Sequence, residues 1–392
     1  MKTWVLPEYG TRSIVEVPRF VLEYFDSERH PLMENHTDSK TFMDLDIKMD
    51  TDHLILLIID GLGIQLFKRL KSEGIVPFLS SLNSSYITST FPSTTASALV
   101  SLSTGLTPSQ HGILGFKMFV ERPYTTMNTI FYTIHGLESI MIPQKPECFM
   151  ANYYIYESLA RNGIKVKSFL KKEFIGSPFS TIAHGYLVSK PHLMEVDLFT
   201  QTKKEILEAK NRTFISLYVH TLDSLSHTYG PYSEEVFEYM KSLDNMLSSI
   251  IGPILDRARI IITADHGHIE TSPENGINLC ERQHIYRNII GYPAGEPRAI
   301  YLRVKRKKEF IREVKKEFGE TLSVMETEEV EKEGLWGGKL KENFKSRVGD
   351  IVVIPEGNRF ILCGDEPEDV INMRGRHGGL SIEEMLVPLI YN

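Results

Sequence analysis

The chain has 392 residues, 42% of them hydrophobic, and a formal net charge of −7 at pH 7. That length exceeds one minimal domain and suits a large α/β domain with an insert, or two domains. The mild acidity argues against a general nucleic-acid binder, and the longest apolar runs fall short of the ~20 residues that span a bilayer. Cys148, Cys280 and Cys363 are far apart, odd in number and form no Cys-x-x-Cys. Three separate thiols, each a small core residue in a reducing compartment, are therefore expected. The first residues, Met1-Lys2-Thr3-Trp4-Val5-Leu6-Pro7-Glu8, contain no apolar leader segment, so the expectation is a cytoplasmic protein.

Residues 1–50 are mixed and polar and read as a lead-in packed on the core, with an amphipathic piece around Val17–Phe25. Leu54-Ile55-Leu56-Leu57-Ile58-Ile59 reads as a buried strand, since parallel strands covered on both faces are continuously apolar. A helix is predicted from about Leu62 to Ser72, ending near Gly74. Another spans 95–103, with Ser93-Thr94-Thr95 at its start. Residues 151–171 give a helix and then a strand, Lys165–Phe169. A helix over 196–210 precedes the strand 214–219. Ser233–Leu247 has apolar residues at Val236, Tyr239, Met240, Leu243 and Leu247, a helical spacing with Ser233 as N-cap. The strand 259–263 follows. Helices alternating with buried strands argue for a mostly parallel sheet covered on both faces.

From about residue 283 to 360 the charge density rises. Ile300–Val304, Ile351–Ile354 and Phe360–Leu362 read as strands and Lys307–Phe318 as a helix, together an inserted α+β subdomain. The catalytic core is then 51–282 with 361–392. The run Lys305-Arg306-Lys307-Lys308 reads as a solvated helix start.

The chemistry gathers after the strands, where open α/β sheets place their ligand-binding groups. Asp60 follows the 54–59 run; alone, it is an ordinary cap for the next helix. Asp223-x-x-x-His227 puts a carboxylate and an imidazole on one helix face. Asp265-His266-Gly267-His268 follows Ile-Ile-Ile-Thr-Ala, a costly place for polar groups unless they are paired or bound to a cation. His377 lies in Gly375-Arg376-His377-Gly378-Gly379. Thr90-Phe91-Pro92-Ser93-Thr94-Thr95 brings hydroxyls to a helix start, whose free N–H groups suit a phosphate.

In this order the strings resemble the alkaline phosphatase superfamily, and within it the type I phosphodiesterase/nucleotide pyrophosphatase branch. The resemblance runs from about residue 54 to the end, broken by the insert. It rests on Asp60-Gly61, Ser103-Thr104-Gly105-Leu106-x-Pro108-x-x-His111-Gly112-Ile113, Asp223-x-x-x-His227-x-x-Gly230-Pro231, Thr263-Ala264-Asp265-His266-Gly267 and His377-Gly378-Gly379. It implies a three-layer α/β/α sandwich with a mostly parallel central sheet. It also implies a two-metal hydrolase of phosphate esters that forms a covalent phosphoryl-enzyme intermediate. One ion would be held by Asp60, Asp265, His266 and the nucleophile's oxygen, the other by Asp223, His227 and His377. Both are usually Zn2+, and Mn2+ or Fe2+ suit the same donors.

Superfamily nucleophiles generally lie nine residues before the Thr of a Thr-Gly pair, and Thr104-Gly105 counts back to Thr95. The Thr-Phe-Pro of nucleotide pyrophosphatases aligns instead with Thr90, and Thr94 is adjacent. Animal-type relatives carry a phosphate-binding Asn after His-Gly-Ile, where this chain has Phe116. The expected substrate is a small phosphate ester or nucleotide. A phosphomonoesterase or phosphonate hydrolase is the alternative on the same fold, and a non-catalytic binding module is the alternative from another class. His268 is a candidate contact to a substrate oxygen, and His111 a structural residue of the loop after the nucleophile helix.

Overall fold

The computed structural model describes residues 4–27, 42, 45, 47–121, 124–364 and 366–392. Seven strands form the central sheet in the order Asn83–Thr88, Leu386–Tyr391, Ala258–Thr263, His53–Ile59, Thr213–Val219, Lys165–Lys171, Lys190–His192. Every neighbouring pair is parallel except the two made by Leu386–Tyr391. His53–Ile59 sits at the centre, and all its residues after His53 are buried. Parallel neighbours on both edges and helices on both faces leave no place for a polar side chain, which is why the run is continuously apolar. The predicted strands and helices through residue 263 are all present, within a few residues at their ends. The fold is an alkaline phosphatase-like α/β/α sandwich.

The helix Val17–Tyr24 buries Val17, Phe20, Val21 and Tyr24 in the main core, the i, i+3, i+4, i+7 stripe of an amphipathic helix. Residues 1–3, 28–41, 43, 44 and 46 of the expected lead-in lie outside the described residues.

A second, wholly antiparallel sheet has eight strands: Leu322–Glu326, Ile351–Pro355, Ala299–Leu302, Ala294–Glu296, Lys117–Val120, Thr125–Asn128, Thr133–Ile134 and Leu137–Met141. The strands between 294 and 355 therefore do not stand alone. Gly295 pairs with Lys117 and joins them to a meander over 117–141. The sheet has two apolar faces, as the period of two requires. Ala299, Tyr301, Val352 and Ile354 join the main core, while Ile300, Leu302, Ile351 and Val353 face Phe310 and Val314 of the Lys307–Phe318 helix.

The cysteines depart from expectation. Cys280 and Cys363 are disulfide-bonded, and Cys148 is exposed. The bond staples the short parallel pair Gly276–Asn278 and Phe360–Leu362, two segments brought together from 83 residues apart. It removes the cysteine ground for expecting a reducing compartment. No described helix is long and apolar enough to cross a membrane.

One buried ion pair ties the second sheet to the core. Arg298, in the turn after Ala294–Glu296, donates to both oxygens of Glu384 at 3.0 and 2.7 Å. It also donates to the Arg359 carbonyl. Glu384 in turn accepts the Gly379 N–H at 2.8 Å. Arg298→Met leaves a buried, uncompensated carboxylate, and should lower unfolding free energy by about 3–5 kcal/mol. Urea denaturation followed by circular dichroism measures this, and a loss below about 1 kcal/mol would contradict the role given to the pair.

Candidate active site

The strands His53–Ile59, Thr213–Val219 and Ala258–Thr263 are adjacent and parallel, so their carboxyl ends share one edge. Asp60 follows the first directly. Asp265 and His266 follow the third. The second leads into the helix Thr221–Tyr229, whose period puts Asp223 and His227 one turn apart on one face. His377 arrives from the far end of the chain, on the loop after Gly375–Arg376.

All seven residues singled out in the sequence meet here, in two groups. In the inner group His266 Nε2 lies 3.4 Å from Asp60 Oδ1, 3.4 Å from Asp265 Oδ2 and 3.1 Å from Thr95 Oγ1. Thr95 Oγ1 is also 3.5 Å from Asp60 Oδ2. In the outer group Asp223 Oδ1 lies 3.4 Å from His227 Nε2 and 3.9 Å from His377 Nε2, and the two imidazole nitrogens are 3.2 Å apart. The inner carboxylates and His266 are buried, whereas Asp223, His227 and His377 keep side-chain exposures of 18, 23 and 11%.

The inner group bears uncompensated charge. Asp60 Oδ1 and Asp265 Oδ2 are buried and have no hydrogen-bond partner. Burial, then the nearby Asp265 and Asp223, pushes the Asp60 carboxyl well above the usual range. Burial and then the crowd of His266, His227 and His268 hold His377 well below the ordinary imidazole value, so it is neutral. Burial would raise Asp223, but the facing His227, His268 and His377 hold it well below the usual carboxylate range. Neutral imidazole lone pairs and orphaned carboxylate oxygens are a donor set for a cation. Spacings of 3.1–3.4 Å around His266 are those that an ion with bonds of about 2.0–2.2 Å bridges. Among the described residues, the groupings that could hold a metal are Asp60 with Asp265 and His266, Asp223 with His266 and His377, and Asp223 with His227 and His268.

The surrounding bonds fix each donor. His227 Nδ1 donates to the Gly375 carbonyl at 2.8 Å, and His377 Nδ1 donates to the Ser93 carbonyl at 3.0 Å. Both Nε2 atoms are thereby left as acceptors. Ser93 Oγ accepts the Gly378 N–H at 3.1 Å and donates to the Gly379 carbonyl at 2.8 Å, locking the His377 loop to the start of the Thr95–Thr104 helix. Gly61 N–H and His266 N–H both donate to Asp265 Oδ1. The buried Tyr218 hydroxyl donates to Asp60 Oδ2.

The three candidate hydroxyls separate clearly. Thr95 faces Asp60 and His266. Thr90 donates to the Pro92 carbonyl at 3.2 Å, and Thr94 faces Glu296. His111 is structural, as expected: its Nδ1 accepts the Ile113 N–H at 3.0 Å and its Nε2 meets Ser101 Oγ at 3.0 Å. His268 is buried, 3% exposed, and bonded to Asp223 at 2.9 Å. Sequence reasoning also missed Tyr218, which looks like one more apolar strand residue, and Glu296, which carries no motif. Phe116 gives its N–H to Glu296 at 2.7 Å and sets its ring edge-on to Phe131. Its side chain offers no donor to a phosphate oxygen.

A mostly parallel α/β/α sandwich with paired carboxylate–imidazole groups and a hydroxyl at a helix start defines an alkaline phosphatase-like protein. A family profile described as type I phosphodiesterase/nucleotide pyrophosphatase matches residues 54–380. The chain belongs to this family. Mouse ectonucleotide pyrophosphatase/phosphodiesterase family member 3 is 23% identical over 239 residues, covering 57% of this chain and 26% of that protein. Venom phosphodiesterase 2 of Crotalus adamanteus is 24% identical over 234 residues, covering 56% of this chain and 27% of that one. The match thus spans about a quarter of these relatives. Among solved structures, murine ectonucleotide pyrophosphatase/phosphodiesterase 5 superposes with a TM-score of 0.65 at 18% identity, covering 86% of this chain and 87% of that one. Phosphonoacetate hydrolase from Sinorhizobium meliloti 1021, in complex with phosphonoformate, gives 0.63 at 17% identity, covering 86% and 89%.

Two outcomes follow. Tyr218→Phe removes the donor that orients Asp60, and should weaken divalent-metal binding about 10–100-fold without unfolding the chain. Competition against a chelator measures it, and an unchanged affinity would count against the Tyr218 role. Burial, against the weaker opposing pull of Thr94 and the Phe116 N–H, pushes Glu296 up from 4.5 to about 7. The folded state therefore holds this proton more tightly than the unfolded chain. That contribution is complete below the ordinary value and is lost as pH rises through about 7. Glu296→Gln should flatten this decline between pH 5 and 8, as read by denaturation across pH.

Proposed function

We propose that this chain is a two-metal hydrolase of phosphate esters with Thr95 as its nucleophile. The observation that carries the reading is the position of Thr95 Oγ1, 3.1 Å from His266 Nε2 and 3.5 Å from Asp60 Oδ2, on the first residue of a helix. Asp60, Asp265, His266 and the Thr95 oxygen would hold one ion, and Asp223, His227 and His377 the other. Zn2+ suits both groups, with Mn2+ or Fe2+ as alternatives. Bound ions supply charge neutralisation and lower the pKa of the hydroxyl.

The rest falls to the chain. The first intrahelical bond after Thr95 is the Ala98 N–H to the Thr94 carbonyl at 3.0 Å. The amides of Thr95, Ala96 and Ser97 therefore precede the helical ladder and are free for phosphate oxygens, with the helix dipole adding to their pull. Attack by Thr95 Oγ1 forms an O–P bond and breaks the P–O bond to the leaving group, which departs with the electron pair. Water then attacks the phosphothreonine and frees Thr95. The Ser93 bonds to the His377 loop hold nucleophile and outer group in one frame.

Diesters and pyrophosphates are the leading substrates, from the family and from the relatives described as phosphodiesterases. Phe116 favours a second reading, a phosphomonoesterase or phosphonate hydrolase, because its side chain cannot take the place of a phosphate-binding amide. The nearby fold of phosphonoacetate hydrolase agrees with it.

Metal analysis with bis-p-nitrophenyl phosphate, p-nitrophenyl phosphate and phosphonoacetate distinguishes these readings. Thr95→Ala should lower turnover by at least about 10³-fold while metal stays largely bound. Activity that survives in Thr95→Ala and disappears in Thr90→Ala would sink the choice of nucleophile. A wild-type protein that binds no metal and cleaves no ester would be a binding module instead.

A further inference from the structure

The loop after Asp265-His266-Gly267 enters the short strand Ile269–Glu270, which pairs antiparallel with Gly375–Arg376. Ile269 sits opposite Arg376 and Glu270 opposite Gly375. One step further along the same ladder, His268 falls opposite His377, and their ring centroids are 5.2 Å apart. Gly375 also receives the Nδ1 proton of His227. This two-residue ladder thus brings His227, His268 and His377 around Asp223.

His268 has no room to swing outward. A Cβ on Gly61 would lie 2.9 Å from its Cδ2 and Nε2, and one on Gly375 would lie 3.1 Å from its Nδ1. The ring is held between the residue after Asp60 and the strand before His377. Its Nε2 is 2.9 Å from Asp223 Oδ1, and its Nδ1 is buried without a partner.

The tautomer decides what this imidazole does. As a metal ligand through Nε2, it would carry its proton on Nδ1, a buried N–H with no acceptor. As a donor through Nε2–H, it satisfies that proton on Asp223 and leaves only a bare lone pair on Nδ1. An orphaned acceptor is tolerated more often than an orphaned N–H. We infer that His268 is a positioning residue. It donates Nε2–H to Asp223 Oδ1 and orients that carboxylate for the outer ion, as Tyr218 does for Asp60. The inference rests on the two-metal reading of the site.

The test is calorimetric titration of the metal-free full chain with Zn2+, together with the visible spectrum of the Co2+ form. His268→Leu should weaken the second binding event about 10–100-fold, with the first unchanged and two ions still bound at saturation. His268→Asn or His268→Gln, which restore an N–H donor, should recover most of that loss in at least one case. The Co2+ bands of the saturated variants should stay at wild-type positions, because no ligand has been removed. Unchanged affinity in His268→Leu would overturn the inference. So would failure of both amide variants together with shifted Co2+ bands, which would make His268 a ligand. If His268→Leu does not fold, the amide variants and their spectra carry the same decision. Absence of any metal binding by the wild type would instead refute the underlying two-metal reading.

Discussion

Two carboxylates, Asp60 and Asp265, lie at the ends of adjacent parallel strands, buried, each with one oxygen that meets no proton. Burying one such group is expensive, and burying two together is more so. The rest of the site can be understood as a response to that charge. The nearest imidazole, His266, sits between the two carboxylates rather than to one side. Backbone amides of Gly61 and His266 are spent on the other oxygen of Asp265, and the Tyr218 hydroxyl on that of Asp60. Each donor removes one lone pair and leaves another aimed at the same small volume. An arrangement meant only to pack would not leave two lone pairs converging there.

That geometry needs a stiff frame, and it is drawn from distant parts of the chain. Ser93 binds the His377 loop through its carbonyl and its hydroxyl, so the start of the Thr95–Thr104 helix and the last histidine are tied together. Glu384 holds the next amide of that loop and is itself held by Arg298 of the second sheet. The antiparallel sheet is thus connected to the outer group through two side chains. The disulfide between Cys280 and Cys363 ties the ends of the Gly276–Asn278 and Phe360–Leu362 pair, and Ile361 N–H donates to the Pro297 carbonyl next to Arg298.

How much of this could be seen in the sequence follows from what each residue must satisfy. Leu54–Ile59, Thr213–Val219 and Ile260–Thr263 were legible because both faces of a central parallel strand are covered, which writes an apolar run into the sequence. The polar residues after those runs were legible for the same reason, since the contrast marks them. Leu386–Tyr391 was not, because Pro388 interrupts it. Proline is unwelcome in a central strand, yet this one is tolerated against Asn83–Thr88 at the sheet edge. The meander over 117–141 was missed because its strands are short, and Leu137–Met141 is exposed throughout. The pairing of Cys280 with Cys363 depends on a contact across 83 residues, which spacing alone does not encode. Tyr218, and the Asp223 partner of His268, were hidden for another reason. Their roles lie in which atom they face, and residue type says nothing of that.

The inner and outer groups are unequal, and the inequality has a direction. The inner group offers two carboxylates and one imidazole, the outer group one carboxylate and two imidazoles. On the proposed reading, Asp60 and Asp265 together balance the charge of one divalent ion, whereas Asp223 balances only half of another. The excess positive charge then lies beside Asp223, His227 and His377, which are also the residues that keep some exposure to water. An anionic ester approaching from solvent meets that excess first. Thr95, 9% exposed, lies against the inner group, so on the same reading its deprotonated oxygen would add a negative charge that the neighbouring excess at the outer group offsets. On that reading the attraction of the ester and the placement of the nucleophile fall to different donor sets, and the two sets act together because Asp223, His266 and His377 lie within reach of one ion.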